Sequence, residues 1–288
     1  METNPIILKA CQCRQLDSVI TSLVSQYQVE HVICFGCIDS SKGAVNCFAE
    51  EIRQSSVHYF LLMITTGTTR IEHEVQDYVN RHFDDMIITI LVHGMETVTE
   101  AVINGSRFFI TVCHDGMQLY SANGLRLNLD YPVLDTGIIL AKAERHYFHR
   151  FNMASGFFEA ALNCYGNEYY SNSVFMLHQA VEQACMAMIR VYLAYRSDVH
   201  NLSRLLDLTL CFSPEPSGIF PRKTAEEKAL FQLLVKSYSD ARYKDSYTIT
   251  KADADALCTQ VKFFVGLAES LCTTRINELR TEVMELSQ

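Results

Sequence analysis

His178 and Glu182 stand four residues apart in the stretch Ser171–Tyr195, SNSVFMLHQAVEQACMAMIRVYLAY. On a helix that spacing puts an imidazole and a carboxylate on one face. Such a pair could move a proton, or supply two of the ligands that a metal needs. No third ligand follows at a matching spacing, and Gln179 and Gln183 flank the pair, so a satisfied buried hydrogen-bond cluster is the competing reading and no metal is expected. A second set is Cys34-Phe-Gly-Cys37, with Cys11-Gln-Cys13 upstream. A zinc site would want another well-spaced pair, and a redox motif would want Cys37 to open a helix. Ile38-Asp39-Ser40-Ser41 reads instead as a loop, which makes these strand and turn thiols. Eleven cysteines, an odd count scattered through apolar stretches, point to reduced and mostly buried side chains.

The element that positions His178 must be covered on more than one side. Val174, Leu177, Val181, Cys185, Met188 and Tyr192 make one apolar stripe, and Phe175, Met176, Ala180, Met186, Ala187 and Ile189 fill much of the remainder. At ~1.5 Å per residue such a helix runs roughly 35 Å, as the centre of a bundle would. Around it the second half of the chain reads as helical throughout. Leu140–Tyr165 has a stripe through Phe151, Ala154, Phe158, Ala161 and Leu162, and Gly166-Asn167 ends it. Val199–Phe212 follows, then a loop with Pro214, Pro216 and Pro221. Thr224-Ala-Glu-Glu227 has the form of a capping box for Ala225–Ala241, and Thr250 can cap a last helix from Lys251. About five helices in a bundle are expected.

The first half alternates signals. Leu16–Tyr27, Arg70–His82 and Glu96–Asn104 read as helices; His31–Phe35, Val57–Thr65 and Asp85–Val92 read as strands. Gly36 is expected to stop the first strand in a turn. Arg107–Cys113 and Met117–Tyr120, across Asp115-Gly116, read as a hairpin. A layer around a mixed sheet follows, with Pro132 between the two patterns.

The net charge of −9 is uneven: residues 1–130 hold 8 Lys+Arg against 15 Asp+Glu (−7), and residues 131–288 hold 16 against 18 (−2). Polyanion contact is therefore expected in the second half, and DNA is not an expected partner. No apolar run approaches the ~20 residues that span a bilayer, and METNPIILKACQCRQ lacks the order of a secretory signal, so a cytoplasmic protein without membrane contact is expected.

Val32-Ile-Cys-Phe-Gly-Cys37 resembles the Gly-Ser turn that opens nucleotidyltransferase domains of the DNA polymerase beta superfamily, with Val57–Thr65 at their D-x-D strand. The resemblance implies three carboxylates, two magnesium ions and a turn that receives triphosphate. Here Gly36 is followed by Cys37, and the two carboxylate positions hold His58 and Phe60; Asp85 is the nearest counterpart of the third. Asp39 is expected free in the turn, and Asp84-Asp85 as solvated strand-end acids. The expectation is a degenerate, catalytically inactive scaffold without cofactor.

SVFMLHQAVEQA, HNLSRLL and SDARYKDSYTI, in that order over about residues 145–272, resemble the HEPN family. That resemblance implies a bundle that dimerises and binds nucleotides or RNA, some members being metal-independent ribonucleases. The ribonucleases use an Arg and a His four to six residues apart; here Arg242 is followed after four residues by Tyr247, and no histidine occurs after His200. Tyrosine, with a pKa near ~10, is a poor base at neutral pH. Arg242 and Lys244 remain able to hold a phosphate, and Tyr243 or Tyr247 to stack on a base; a structural corner with Arg242 paired to Asp240 or Asp245 is the alternative. Arg196 and His200 could face the same cleft, or His200 could cap its turn.

The resulting expectation is an α+β protein: a nucleotidyltransferase-like mixed-sheet domain over 1–130 and an all-α HEPN bundle over 131–288. The second binds a nucleotide or RNA phosphate as a homodimer, with a toxin–antitoxin or stress system as one setting. The alternatives are a ribonuclease using Arg242 with Tyr247, His178 or His200, and a dimeric interaction scaffold without ligand.

Overall fold

The computed structural model describes residues 8–39, 57–67 and 69–286; Pro5, the Ser40-Ser41 end of the expected loop and the side chain of Cys11 lie outside the described residues. The chain divides into two compact units, Met1–Val133 and Leu134–Gln288.

The first unit is built on a mixed sheet of order β3-β2-β1-β4. Its strands are β1 (Val29–Asp39), β2 (Val57–Thr65), β3 (Ile87–Gly94) and β4 (Met117–Ser121). Every residue of β2 is buried, as its unbroken apolar run demands of a strand covered on both faces. β1 pairs antiparallel with β2 and β4, and β2 pairs parallel with β3 through the crossover helix α2 (Glu72–His82). Gln76 ties that helix to the sheet: its amide donates to the Ile88 carbonyl at 2.7 Å and accepts from the Ile90 N–H at 3.0 Å. Helix α3 (Met95–Ile103) matches its sequence pattern, whereas α1 (Ala10–Gln26) begins six residues before the expected Leu16 and so takes Cys13 into a helix instead of a strand or turn.

Three local expectations are overturned. Gly36 does not end a strand: β1 continues through Gly36, Cys37 and Ile38 to Asp39, opposite Phe60, Tyr59, His58 and Val57. A bulge between Cys34 and Gly36 absorbs the irregularity, and a Cβ at Gly36 would meet the Phe60 ring at 3.0 Å, so the glycine serves close packing. Asp39 is engaged by Lys9 Nζ at 3.0 Å instead of standing free in a turn. Arg107–Cys113 is no hairpin arm but helix α4 (Arg107–Asp115), ended at Gly116, whose N–H donates to the Val112 carbonyl at 3.0 Å. A short apolar run fits either element by composition; here β4 goes to the open side of β1 instead.

The second unit is helical: α5 (Thr136–Gly166), α6 (Tyr170–Leu193), α7 (Leu202–Thr209), the single turn α8 (Glu215–Gly218), α9 (Ala225–Tyr243) and α10 (Lys251–Leu286). The apolar helix α6 packs against α5, α7, α9 and α10, which accounts for its lack of a polar face. Thr224 caps α9 as the sequence announces: its hydroxyl accepts from the Glu227 N–H at 3.2 Å, and the Glu227 carboxylate accepts from the Thr224 N–H at 3.0 Å. Thr224→Ala is expected to cost about 1 kcal/mol in chemical denaturation. No helix among the described residues is long and apolar enough to cross a membrane.

Candidate functional site

The polar interruption of α6 is where the bundle's chemistry collects. His178 and Glu182 are almost wholly buried, at 1% and 3% exposure. His178 Nδ1 lies 3.0 Å from the Leu234 carbonyl of α9, an acceptor, so that nitrogen carries the hydrogen. Its Nε2 points to Glu182 Oε2 at 3.7 Å, too long for a hydrogen bond, and both atoms are buried with no partner. The other carboxylate oxygen, Oε1, accepts from Nδ1 of His200 at 3.1 Å and, at the limit, from the Gln183 amide at 3.5 Å. Arg150 on α5 donates to the Gln183 carbonyl oxygen at 2.7 Å.

His200 precedes α7 and is the solvent-facing member, with 56% of its side chain exposed. The His200 ring lies nearly parallel to Tyr238 at a centroid distance of 6.0 Å, and the His178 ring, tilted by 28°, stacks on it at 5.3 Å. Arg242, one turn on from Tyr238 along α9, sets its guanidinium 4.3 Å from the centre of the same ring and donates from Nε to the Tyr238 carbonyl at 2.6 Å. One tyrosine thus gathers a buried histidine, an exposed histidine and an exposed arginine. Tyr238 carries no motif, and only its place four residues before Arg242 could have singled it out.

The remaining candidates divide. Tyr243 is exposed, with the Arg242 guanidinium 5.1 Å from its ring centre, and remains available for stacking. Lys244 pairs with Asp240 at 2.8 Å, so the acid expected beside Arg242 belongs to its neighbour. Tyr247 is turned inward: its hydroxyl donates to the Leu233 carbonyl at 3.0 Å, and burial above all pushes its pKa up to about 12. It pins the α9–α10 corner and keeps its proton throughout the neutral range. Arg196 joins Asp198 at 3.3 Å, and among the described residues no hydrogen bond, ion pair or ring contact links it to Tyr238, His200 or Arg242. Among the described residues no group of histidine, cysteine and carboxylate side chains could hold a metal ion.

In the first unit, His58 and Phe60 share a face of β2 two residues apart. The His58 ring stacks on Phe60 at 4.3 Å, and its Nε2 lies 2.8 Å from Thr89 Oγ1. Phe35 and Phe108 extend the layer, at 6.0 Å between Phe35 and Phe60 and 5.6 Å between Phe35 and Phe108. Asp84 and Asp85 are exposed in the connection before β3. Cys34 and Cys37 both lie in the strand, and Cys34 is buried with its pKa pushed up to about 11 by desolvation. That environment suits an inert thiol rather than a reactive one.

The HEPN domain family model matches residues 148–271. No curated protein matches the sequence. Among solved structures, an archaeal HEPN homologue is 18% identical, covering 49% of this chain and 99% of its own, with a TM-score of 0.30. A nucleotidyltransferase-like protein from Exiguobacterium sibiricum is 11% identical, covering 94% of this chain and 80% of its own, also with a TM-score of 0.30.

Proposed function

Residues 148–271 being a HEPN domain, we propose that the helical unit binds a nucleotide or RNA phosphate on the face formed by Tyr238, Arg242 and His200. The observation that carries this reading is the convergence of His200 and Arg242 on one tyrosine ring, with Glu182 fixing His200 from beneath. Arg242 supplies a forked cationic donor for phosphate oxygens, His200 a second donor, and exposed Tyr243 a surface for a base. Recognition without turnover is the leading mechanism, because Tyr247 is locked inward. The first unit serves as a scaffold in the same reading: an aromatic layer occupies the strand face on which the transferase resemblance would place carboxylates. A homodimer through the bundle belongs to it as well, supported by exposed Phe148 on α5 and Phe263 on α10, as does a cytoplasmic setting.

Isothermal titration with ATP, GTP and short RNAs tests the proposal, and Arg242→Ala is expected to weaken the observed binding roughly tenfold, the worth of a charged hydrogen bond. No binding to any of these would sink it. Unchanged affinity in the variant would move the site elsewhere.

One observation favours a second reading, a metal-independent ribonuclease. Glu182 accepts from His200 Nδ1, which leaves Nε2 as the basic nitrogen on the exposed side. His200 would then take the 2′-hydroxyl proton as that oxygen attacks the adjacent phosphorus, the 5′-oxygen leaves with a proton from water, and Arg242 offsets the phosphate charge. RNA degradation in EDTA that is lost in both His200→Ala and Arg242→Ala would select this reading over the first.

A further inference from the structure

A second group of cations lies on α5, on α6 and just beyond the end of α6. Arg150, Met186, Ile189, Arg190, Tyr195 and Ser197 line a shallow surface recess that is open to solvent and encloses no cavity. Arg190 is half-buried there, and among the described residues no hydrogen bond or ion pair engages its guanidinium. Burial and the neighbouring guanidinium groups of Arg150 and Arg196 pull its pKa down, with Asp198 the one opposing charge, and Asp198 is already joined to Arg196 at 3.3 Å. His146 registers the same field from α5: burial first, then Arg190, Arg145, Arg150 and His149, hold its pKa at about 4. In a chain of net charge −9, arginines gathered around a half-buried recess cost stability unless an anion offsets them.

The lining is equipped to receive one. Arg150 commits one N–H to Gln183 and keeps the rest of its fork. The Ser197 hydroxyl accepts from the Val199 N–H at 3.2 Å, so its own hydrogen is left to donate. We propose that this recess is a second phosphate site, in which Arg190 and Arg150 grip one phosphate group and Ser197 adds a hydrogen bond. Glu182 and Arg190 are eight residues apart on α6, roughly 12 Å at ~1.5 Å per residue. Arg150 bridges the two, since it also donates to Gln183 beside Glu182, so both places lie within the run of a short strand. The recess site stands whether or not the Arg242 face binds anything.

The test uses the full chain with two probes: inorganic pyrophosphate by calorimetry, and a short fluorescent single-stranded oligoadenylate by anisotropy at several salt concentrations. Arg190→Gln should lower affinity for at least one probe roughly tenfold, and Arg190→Lys should recover part of it. On RNA the slope of log affinity against log salt should fall by about 0.7, one phosphate contact's share. The melting temperature of Arg190→Gln should hold or rise, since like-charge repulsion is relieved. Loss on both probes identifies recognition of an isolated phosphate; loss on RNA alone identifies a phosphodiester; both support the site. Unchanged affinity for both probes in Arg190→Gln overturns it, and should that variant fail to fold, unchanged affinity in Arg150→Gln does so. Arg242→Ala, run alongside, separates the two sites: a loss there with none in Arg190→Gln leaves the Tyr238 face standing and the recess refuted.

Discussion

Glu182→Gln should make the helical unit more stable, by about 1–2 kcal/mol in chemical denaturation, while Glu182→Ala should cost about 2–3 kcal/mol. The reason lies in the inventory of donors and acceptors around α6. Nδ1 of His178 is committed as a donor to the Leu234 carbonyl, so in the Nδ1–H tautomer the other nitrogen turns a lone pair toward Glu182 Oε2, 3.7 Å away. Two buried acceptors then face each other, and each is without a partner. An amide at residue 182 has the same shape, accepts from His200 as before, and offers His178 Nε2 the hydrogen it lacks. Alanine supplies neither hydrogen nor volume and leaves a hole beneath His200. A wild-type sequence that keeps the less stable group at this place is trading stability for the charge, as binding and catalytic sites do. The two functional readings part company on the same variant. Phosphate recognition should hardly change, because His200 keeps an acceptor at Nδ1; hydrolysis through His200 should fall steeply, because an amide cannot support a developing imidazolium. Glu182→Gln found as destabilised as Glu182→Ala would show that the carboxylate belongs to the fold and remove this argument for a site.

Periodicity carried most of the helical unit, because an apolar stripe at three and four residues is a local statement about burial. The breadth of the stripe in Ser171–Tyr195 already required neighbours on several sides, and α6 has them in α5, α7, α9 and α10. The capping box at Thr224 was equally plain, since both partners lie within four residues. Long-range pairing was not legible. Arg107–Cys113 is apolar enough for either element, and only the open side of β1 explains why Met117–Ser121 became the strand and its predecessor the helix α4. Gly36 reads locally as a stop, yet what it answers to is the Phe60 ring on the next strand. The site divides in the same way. His178 and Glu182 announce themselves one turn apart, but His200 reaches them from eighteen residues beyond Glu182, and Tyr238 from another helix. The four arginines Arg145, Arg150, Arg190 and Arg196 make no charge run in the sequence and come into one field only when α5 packs on α6.

Acid should destabilise the sheet unit, chiefly through one histidine, by up to about 3 kcal/mol between pH 6.5 and pH 4. Desolvation holds the His58 pKa at about 4, against an ordinary 6.5, so the folded unit resists the proton that the unfolded chain takes readily. A base depressed in this way contributes its stability in full above pH 6.5, loses it progressively as the pH falls, and has none left once the folded pKa is passed. His31, also lowered by burial, adds a smaller effect of the same sign. His58→Gln, which can keep the hydrogen bond to Thr89, should flatten the profile of urea midpoints over this window while changing little at pH 8. The functional weight of the measurement comes from where His58 sits. Its ring is packed between Phe60 and Thr89 on the face of β2 where a nucleotidyltransferase would need carboxylates in contact with water and metal. A steep loss that vanishes in His58→Gln means this face is dry and closed to a hydrated triphosphate. A wild-type profile no steeper than that of the variant would mean that water reaches His58, and the case for a scaffold without turnover would have to be made again from an open face.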